Sequence, residues 1–209
     1  MKDWNLWHKH YDKTNSDLAL RLRVVQEQIN EILPEKLENN YQIIDICAGD
    51  GRDLIPVLAK YPNSRLVNSF LVEIDKELSD KSKDLATHEN VTNISFVASD
   101  ASLSAVYIDD IPADLILLCG VFGNISDTDV EKTISNLSMF CKSGTKLIWT
   151  RNRREPDATP RIRKLLIDND FSELVFIAPD NNTYAVGVNE FKGTPKPFDK
   201  LTKLFTFIR

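Results

Sequence analysis

Apolar residues along this chain fall into two rhythms. Between Asp17 and Ile32, the residues Leu18, Leu22, Val25, Ile29 and Ile32 recur every three or four positions, the spacing of one helix face, and Pro34 marks where that helix must stop. Short, continuous apolar runs come next, at Ile43–Ile46, Leu66–Ile74, Asn93–Val97, Ala113–Leu118 and Gly144–Thr150. Such runs have the length of strands covered on both faces. Helical patterns separate them: Leu54, Ile55, Val57 and Leu58 predict a helix closing near Pro62, and the charged stretch Lys76–His88 predicts a solvated one. Ser126 with Asp129 has capping-box character and opens a helix facing Val130, Ile134, Leu137 and Phe140 inward. Thr159 as N-cap with Pro160 at the first helical position opens another. Strands alternating with helices predict an α/β chain with a parallel sheet. The tail adds apolar runs at Glu173–Ala178, Tyr184–Phe191 and Leu204–Ile208, read as a hairpin plus one short strand.

The densest chemistry follows the first strand, in Ile43-Ile44-Asp45-Ile46-Cys47-Ala48-Gly49-Asp50-Gly51-Arg52-Asp53. Glycines between a strand and a helix let backbone N–H groups and a ligand come close, and the helix start adds unpaired donors. A dinucleotide fingerprint needs a third small residue three positions after the second glycine, but Leu54 stands there. Asp50 and Asp53 would also meet a pyrophosphate, and like charges at short range repel. An NAD-type ligand is therefore disfavoured, and a cationic or zwitterionic one suits the turn better.

In this stretch the chain resembles the class I S-adenosylmethionine-dependent methyltransferases, whose first motif is an acidic residue followed by Gly-x-Gly-x-Gly. Asp45 falls on the acidic position, and Cys47, Gly49 and Gly51 fall on the three glycines. Cys47 departs from the pattern, a small thiol costing only local room. The resemblance implies a Rossmann-like, doubly wound, seven-stranded and mostly parallel sheet with a C-terminal antiparallel hairpin, in three αβα layers. It implies S-adenosyl-L-methionine as cofactor and S-adenosyl-L-homocysteine as product. Cys47, Ala48, Gly49, Asp50 and Gly51 then line the cofactor's amino-acid end. Glu73, about 20 residues on at the tip of the second strand, takes the ribose hydroxyls, with Ile74 beside it. Asp100 and Ala101 meet the adenine edge, and Cys119 and Gly120 lie beside the methyl donor.

Composition narrows the class further. At 209 residues the chain is read as one domain, residues 1–34 forming an N-terminal lid and helix and 41–209 the core. No apolar run approaches the roughly 20 residues of a membrane span, and the first residues lack a signal peptide's apolar core; a cytoplasmic protein without membrane contact is expected. A net charge of −5 disfavours a general nucleic-acid binder. Three cysteines without a Cys-x-x-Cys pair point to reduced thiols, and no metal site is expected.

For the acceptor side, the aromatic opening from Trp4 to Tyr11 reads as a lid offering Trp7 and Tyr11. Asn124 follows the fourth strand, and Arg151 opens a basic run to Lys164 at the carboxyl end of the fifth. Arg151, Arg153 and Arg154 there could clamp a carboxylate or phosphate. The Asn/Asp-Pro-Pro-Tyr/Phe signature of amino-methylating family members is absent, Cys119-Gly120-Val121-Phe122 standing in its place. The reading is methyl transfer to a small-molecule acceptor. Two alternatives stay open: an RNA or protein methyltransferase docking through Arg151–Lys164, and a non-catalytic S-adenosylmethionine-binding protein.

Overall fold

The computed structural model describes residues 16–208; the aromatic opening, with Trp7 and Tyr11, lies outside the described residues. Helix α1 (Asp17–Ile32) is capped by Ser16, whose Oγ accepts the Ala19 N–H at 3.1 Å. After it come β1 (Tyr41–Ile46), a short α2 (Ile55–Leu58), β2 (Val67–Val72), α3 (Lys76–His88), β3 (Ile94–Val97) and β4 (Ala113–Leu118). Then follow α4 (Asp127–Asn136), β5 (Cys141–Asn152), α5 (Thr159–Asp168), β6 (Phe171–Ile177) and β7 (Tyr184–Phe191).

The strands form one seven-stranded sheet in the order β3-β2-β1-β4-β5-β7-β6. Strands β1 to β5 are parallel, and β7 runs antiparallel to both β5 and β6. Side chains alternate between the two faces. Ile44, Ile46, Ile116, Leu118 and Leu147 pack with Val130 and Ile134 of α4 and Ile162 and Leu166 of α5. Ile43, Leu115, Leu117 and Ile148 pack instead with Val25 and Ile29 of α1 and Ile55 and Leu58 of α2. Helices cover both faces, which is why the parallel strands read as unbroken apolar runs. The strand order reverses between β1 and β4, and loops leaving their carboxyl ends part there to open a crevice.

Several local expectations are corrected. The helix after β1 is four residues long. Pro56 has no N–H to give the Arg52 carbonyl, so the chain winds from Gly51 to Tyr61 as successive turns, and Gln26 Nε2 donates to that carbonyl at 2.8 Å instead. At α5 the N-cap position falls to Ala158, and Asp157 Oδ1 accepts the Thr159 N–H at 2.9 Å. Ser126 does cap α4, accepting from the Asp129 N–H at 3.1 Å, but Asp129 Oδ2 turns to the Thr206 N–H at 3.0 Å rather than closing a capping box. Leu204–Ile208, where that contact is made, forms no strand. Its backbone donors go to loops, Leu204 N–H to the Ser102 carbonyl at 2.7 Å and Ile208 N–H to the Asn124 carbonyl at 2.9 Å, so the segment lies across the carboxyl edge of the sheet.

In the antiparallel part, Trp149 is fully buried against Gly187 of the neighbouring strand, and its Nε1 donates to Asn189 Oδ1 at 2.9 Å. A β-carbon on residue 187 would overlap the indole ring. Gly187→Ala is therefore expected to lower stability by about 1 to 3 kcal/mol through overpacking, read as a lower urea midpoint; a midpoint equal to the parent's would show that the ring has room to move.

Candidate functional site

Where β1 ends, the backbone enters the left-handed region three times in five residues, at φ 63° for Cys47, 59° for Gly49 and 72° for Gly51. For Cys47 this costs more than local room: an L side chain in that conformation is strained by roughly 1–2 kcal/mol. At Gly51 a β-carbon would lie 2.5 Å from Ile55 Cδ1 and Ser82 Oγ. This turn is held by Glu73, just past β2, whose Oε2 accepts the Gly49 N–H at 2.9 Å and whose Oε1 accepts the Asp75 N–H at 2.8 Å. Asp75 in turn caps α3, taking the Glu77 N–H at 2.9 Å. One carboxylate thus joins the loops after β1 and β2.

Between these loops lies a cavity of about 320 Å³. Cys47, Ala48, Gly49, Asp50, Glu73, Ile74, Asp100, Ala101, Cys119 and Gly120 all line it. Gly51 does not; it sits buried behind the turn, against α2 and α3. Ile74 offers an apolar wall, 66% exposed. Asp100 accepts the Ser102 N–H at 3.0 Å and faces Lys203 Nζ at 3.6 Å. Burial pushes the Asp100 carboxyl up, but these partners outweigh it and hold it below the usual carboxylate range.

The floor is rich in acid. Asp45, 2% exposed, lies under the turn, where burial, then the charges of Asp53 and Glu73, push its carboxyl well above the carboxylate range. Its Oδ2 has no hydrogen-bond partner among the described residues. Asp53 is half-buried and lines the cavity. Burial raises its carboxyl, Asp50 adds to the rise, Arg21 opposes it, and the Cys119 thiol donates to it. Asp50 is chelated by Arg52, Nε lying 2.8 Å from both carboxylate oxygens. Such a floor favours a ligand group bearing positive charge.

Arg21, 8% exposed, escaped the sequence reading. Its signal was there: Arg21 stands four residues before Val25 on the apolar stripe of α1, a cation where the pattern calls for an aliphatic side chain. The helix is fixed over the carboxyl edge by Asp17, which accepts the Thr183 N–H at 3.0 Å and Asn182 Nδ2 at 2.9 Å on the β6–β7 connection.

A second cavity, about 1060 Å³, shares Arg21 and Gly120 with the first. Asn124 and Arg151 both line it. Gly120, at φ 78°, has nothing within 4 Å of where a β-carbon would project. Its N–H donates to Thr150 Oγ1 at 2.8 Å and its carbonyl accepts Asn124 Nδ2 at 2.6 Å, so the residue at the junction is gripped from both sides. The expected three-arginine clamp is corrected: Arg153 turns away to donate to the carbonyls of Pro179 and Asn182 on the β6–β7 connection, leaving Arg151 and Arg154 at the cavity. Farther along the run, Arg161 pairs with Asp127 at 3.0 Å, Arg163 with Glu173 at 2.7 Å and Lys164 with Asp168 at 2.7 Å.

No protein-family model matches the sequence, and no curated protein matches it by sequence. Solved structures do match. Magnesium protoporphyrin IX methyltransferase (ChlM) from Synechocystis PCC 6803 with bound SAH superposes with a TM-score of 0.70 at 13% identity, over 90% of this chain and 94% of that one. An rRNA methylase from Streptococcus thermophilus gives 0.60 at 15% identity, over 79% and 95%. An O-methyltransferase family protein from Burkholderia thailandensis gives 0.61 at 15% identity, over 82% and 57%. The fold is that of the class I S-adenosylmethionine-dependent methyltransferases. On this methyltransferase fold the first cavity occupies the crevice at the strand-order reversal, where open α/β sheets take ligands. Among the described residues no helix is long and apolar enough to cross a membrane.

The raised carboxyl of Asp53 has a consequence for stability. An acid whose folded pKa lies above its unfolded one binds more protons in the folded state, so stability falls as pH rises above the ordinary carboxylate range. Asp53→Asn is expected to melt above the parent at neutral pH, the difference shrinking as pH drops toward that range. Thermal melts across pH check this; a variant that melts lower at neutral pH would show that the carboxylate contributes net stability as an ion.

Proposed function

We propose that the protein transfers the methyl group of S-adenosyl-L-methionine to a small-molecule acceptor. One observation carries the reading: an acid-floored cavity on a glycine turn shares Arg21 and Gly120, a glycine with open space where a side chain would project, with a second and larger cavity. The residues fit the cofactor. Gly49 lets the backbone approach, Asp50 and Asp53 match an ammonium group, and Arg21 matches the carboxylate beside it. Glu73 accepts a backbone N–H with each oxygen, and a carboxylate has more than two acceptor sites to offer ribose hydroxyls. Ile74 covers the adenine, whose edge Asp100 and Ala101 meet. That ChlM holds SAH on this fold supports the choice.

When bound, the cofactor supplies a methyl carbon made electrophilic by its sulfonium, and S-adenosyl-L-homocysteine is left after transfer. What the chain contributes is placement in line and the exclusion of water. Beside the junction the titratable side chains are Cys119, whose thiol is pushed well up by burial, and Asp53, to which it donates. Neither lines the second cavity, so the reading assigns no base and takes the acceptor as a nucleophile already able to attack. The ion pairs of Arg161, Arg163 and Lys164 argue against an RNA-docking face along the basic run. The open second cavity argues against a protein that only binds the cofactor.

Incubating the protein with methyl-labelled S-adenosyl-L-methionine and a metabolite extract is expected to move label into a small molecule. Absence of S-adenosyl-L-homocysteine binding by calorimetry would overturn the reading. Glu73→Ala is expected to weaken that binding by about 1 to 3 kcal/mol, the range for charge-assisted hydrogen bonds, and an unchanged affinity would remove Glu73 from the ribose site.

A further inference from the structure

The second cavity is large enough for a metabolite, at about 1060 Å³, against the roughly 300–1,000 Å³ of ordinary ligand clefts. Its polar groups are unevenly committed. Most of its hydrogen-bond acceptors are spent within the protein. Asp17 is occupied by Thr183 and Asn182, whose hydrogen bonds hold its carboxyl below the usual range. Asp127 pairs with Arg161 at 3.0 Å, and Asp157 Oδ1 takes the Thr159 N–H at 2.9 Å. Asn152 Oδ1 takes the Arg154 N–H at 2.9 Å. Glu155, exposed at the rim, the Asn124 Oδ1 and the Tyr184 hydroxyl make no such contact among the described residues.

Donors remain in surplus. Each arginine carries five N–H donors and no acceptor, so a single contact does not exhaust one. Arg151 leaves the carboxyl end of β5 half-buried, its Nη1 lying 3.2 Å from where a β-carbon on Gly123 would stand; the absent side chain makes room for the guanidinium in the cavity wall. Arg154 follows three residues on, and its guanidinium makes no hydrogen bond among the described residues, although its charge is felt at Asp17. A cavity most of whose acidic and amide acceptors are engaged, and whose wall carries planar cationic donors, is matched to a planar or tetrahedral oxyanion.

Resting on the methyl-transfer reading above, we infer that the acceptor is an oxyanion-bearing small molecule, a carboxylate or a phosphate monoester, held by Arg151 and Arg154. The oxyanion is the handle that orients the acceptor toward Gly120.

The test uses the full chain saturated with S-adenosyl-L-homocysteine and titrated with benzoate or phenyl phosphate, with benzyl alcohol and benzylamine as neutral and cationic counterparts, up to about 10 mM, where weak ligands still shift melting by mass action. One or both anions are expected to raise the melting temperature, the stronger naming the oxyanion, while the alcohol and the amine leave it unchanged. Arg151→Gln and Arg154→Gln are each expected to weaken anion binding about 10-fold or more, as for losing charge-assisted hydrogen bonds, with affinity for S-adenosyl-L-homocysteine unchanged. Arg154 is exposed, so its variant folds whatever becomes of Arg151. Equal shifts with all four compounds, no shift with either anion, or an anion shift surviving in both variants would overturn the inference. If S-adenosyl-L-homocysteine itself fails to bind, the methyl-transfer reading falls, and the same titration of the cofactor-free protein still decides whether the cavity takes oxyanions.

Discussion

Left-handed backbone at three of the five residues from Cys47 to Gly51 persists only because the surroundings over-determine it. From below, the Ala48 N–H is tied to the Val72 carbonyl at 3.0 Å, and from the side Glu73 takes the Gly49 N–H. Behind it, Ile55 and Ser82 close on Gly51. Release of this turn would free Asp50 and Asp53 from the cavity floor and separate the loops after β1 and β2. The same carboxylate that secures the turn is the one we propose for the cofactor's sugar, so in that proposal architecture and binding share Glu73.

Beneath the turn the protein accepts an electrostatic cost. Asp45 and Asp53 are held where burial disfavours their ionised forms, and more apolar residues there would fold at least as well. Acids kept in such a place lower stability while creating a field that a cationic ligand relieves. Arg21 sets the limit on that field. It reaches the site through a chain of local causes: Ser16 caps α1, Asp17 binds the helix to the β6–β7 connection, and the first turn of the helix then carries its arginine over the crevice.

The two cavities meet at Arg21 and Gly120. One side is built from the ends of β1, β2 and β4 and from the C-terminal segment, which contributes Lys203, Phe205 and Phe207. The other is built from the start of α1, the connection after β4 and the residues following β5. Thr150 and Asn124 hold the junction glycine between them.

Much of this was legible in the order of residues. Continuous apolar runs separated by helical periods can settle only as a covered parallel sheet, and glycines between the first run and its helix can serve only a sharp turn, so the strands, the fold class and the cavity's first wall followed from local pattern. What the pattern could not carry was long-range partnership. Arg153 and Arg151 are two positions apart in the same run, yet one is spent on the β6–β7 connection and the other lines a cavity. Leu204–Ile208 has a strand's composition, but its backbone donors find loop carbonyls and a carboxylate instead of a neighbouring strand. Arg21 joins Asp53 across the width of the chain. Periodicity reports which face of an element is apolar; which polar groups meet on the polar side depends on where distant segments pack, and only the tertiary structure decides that.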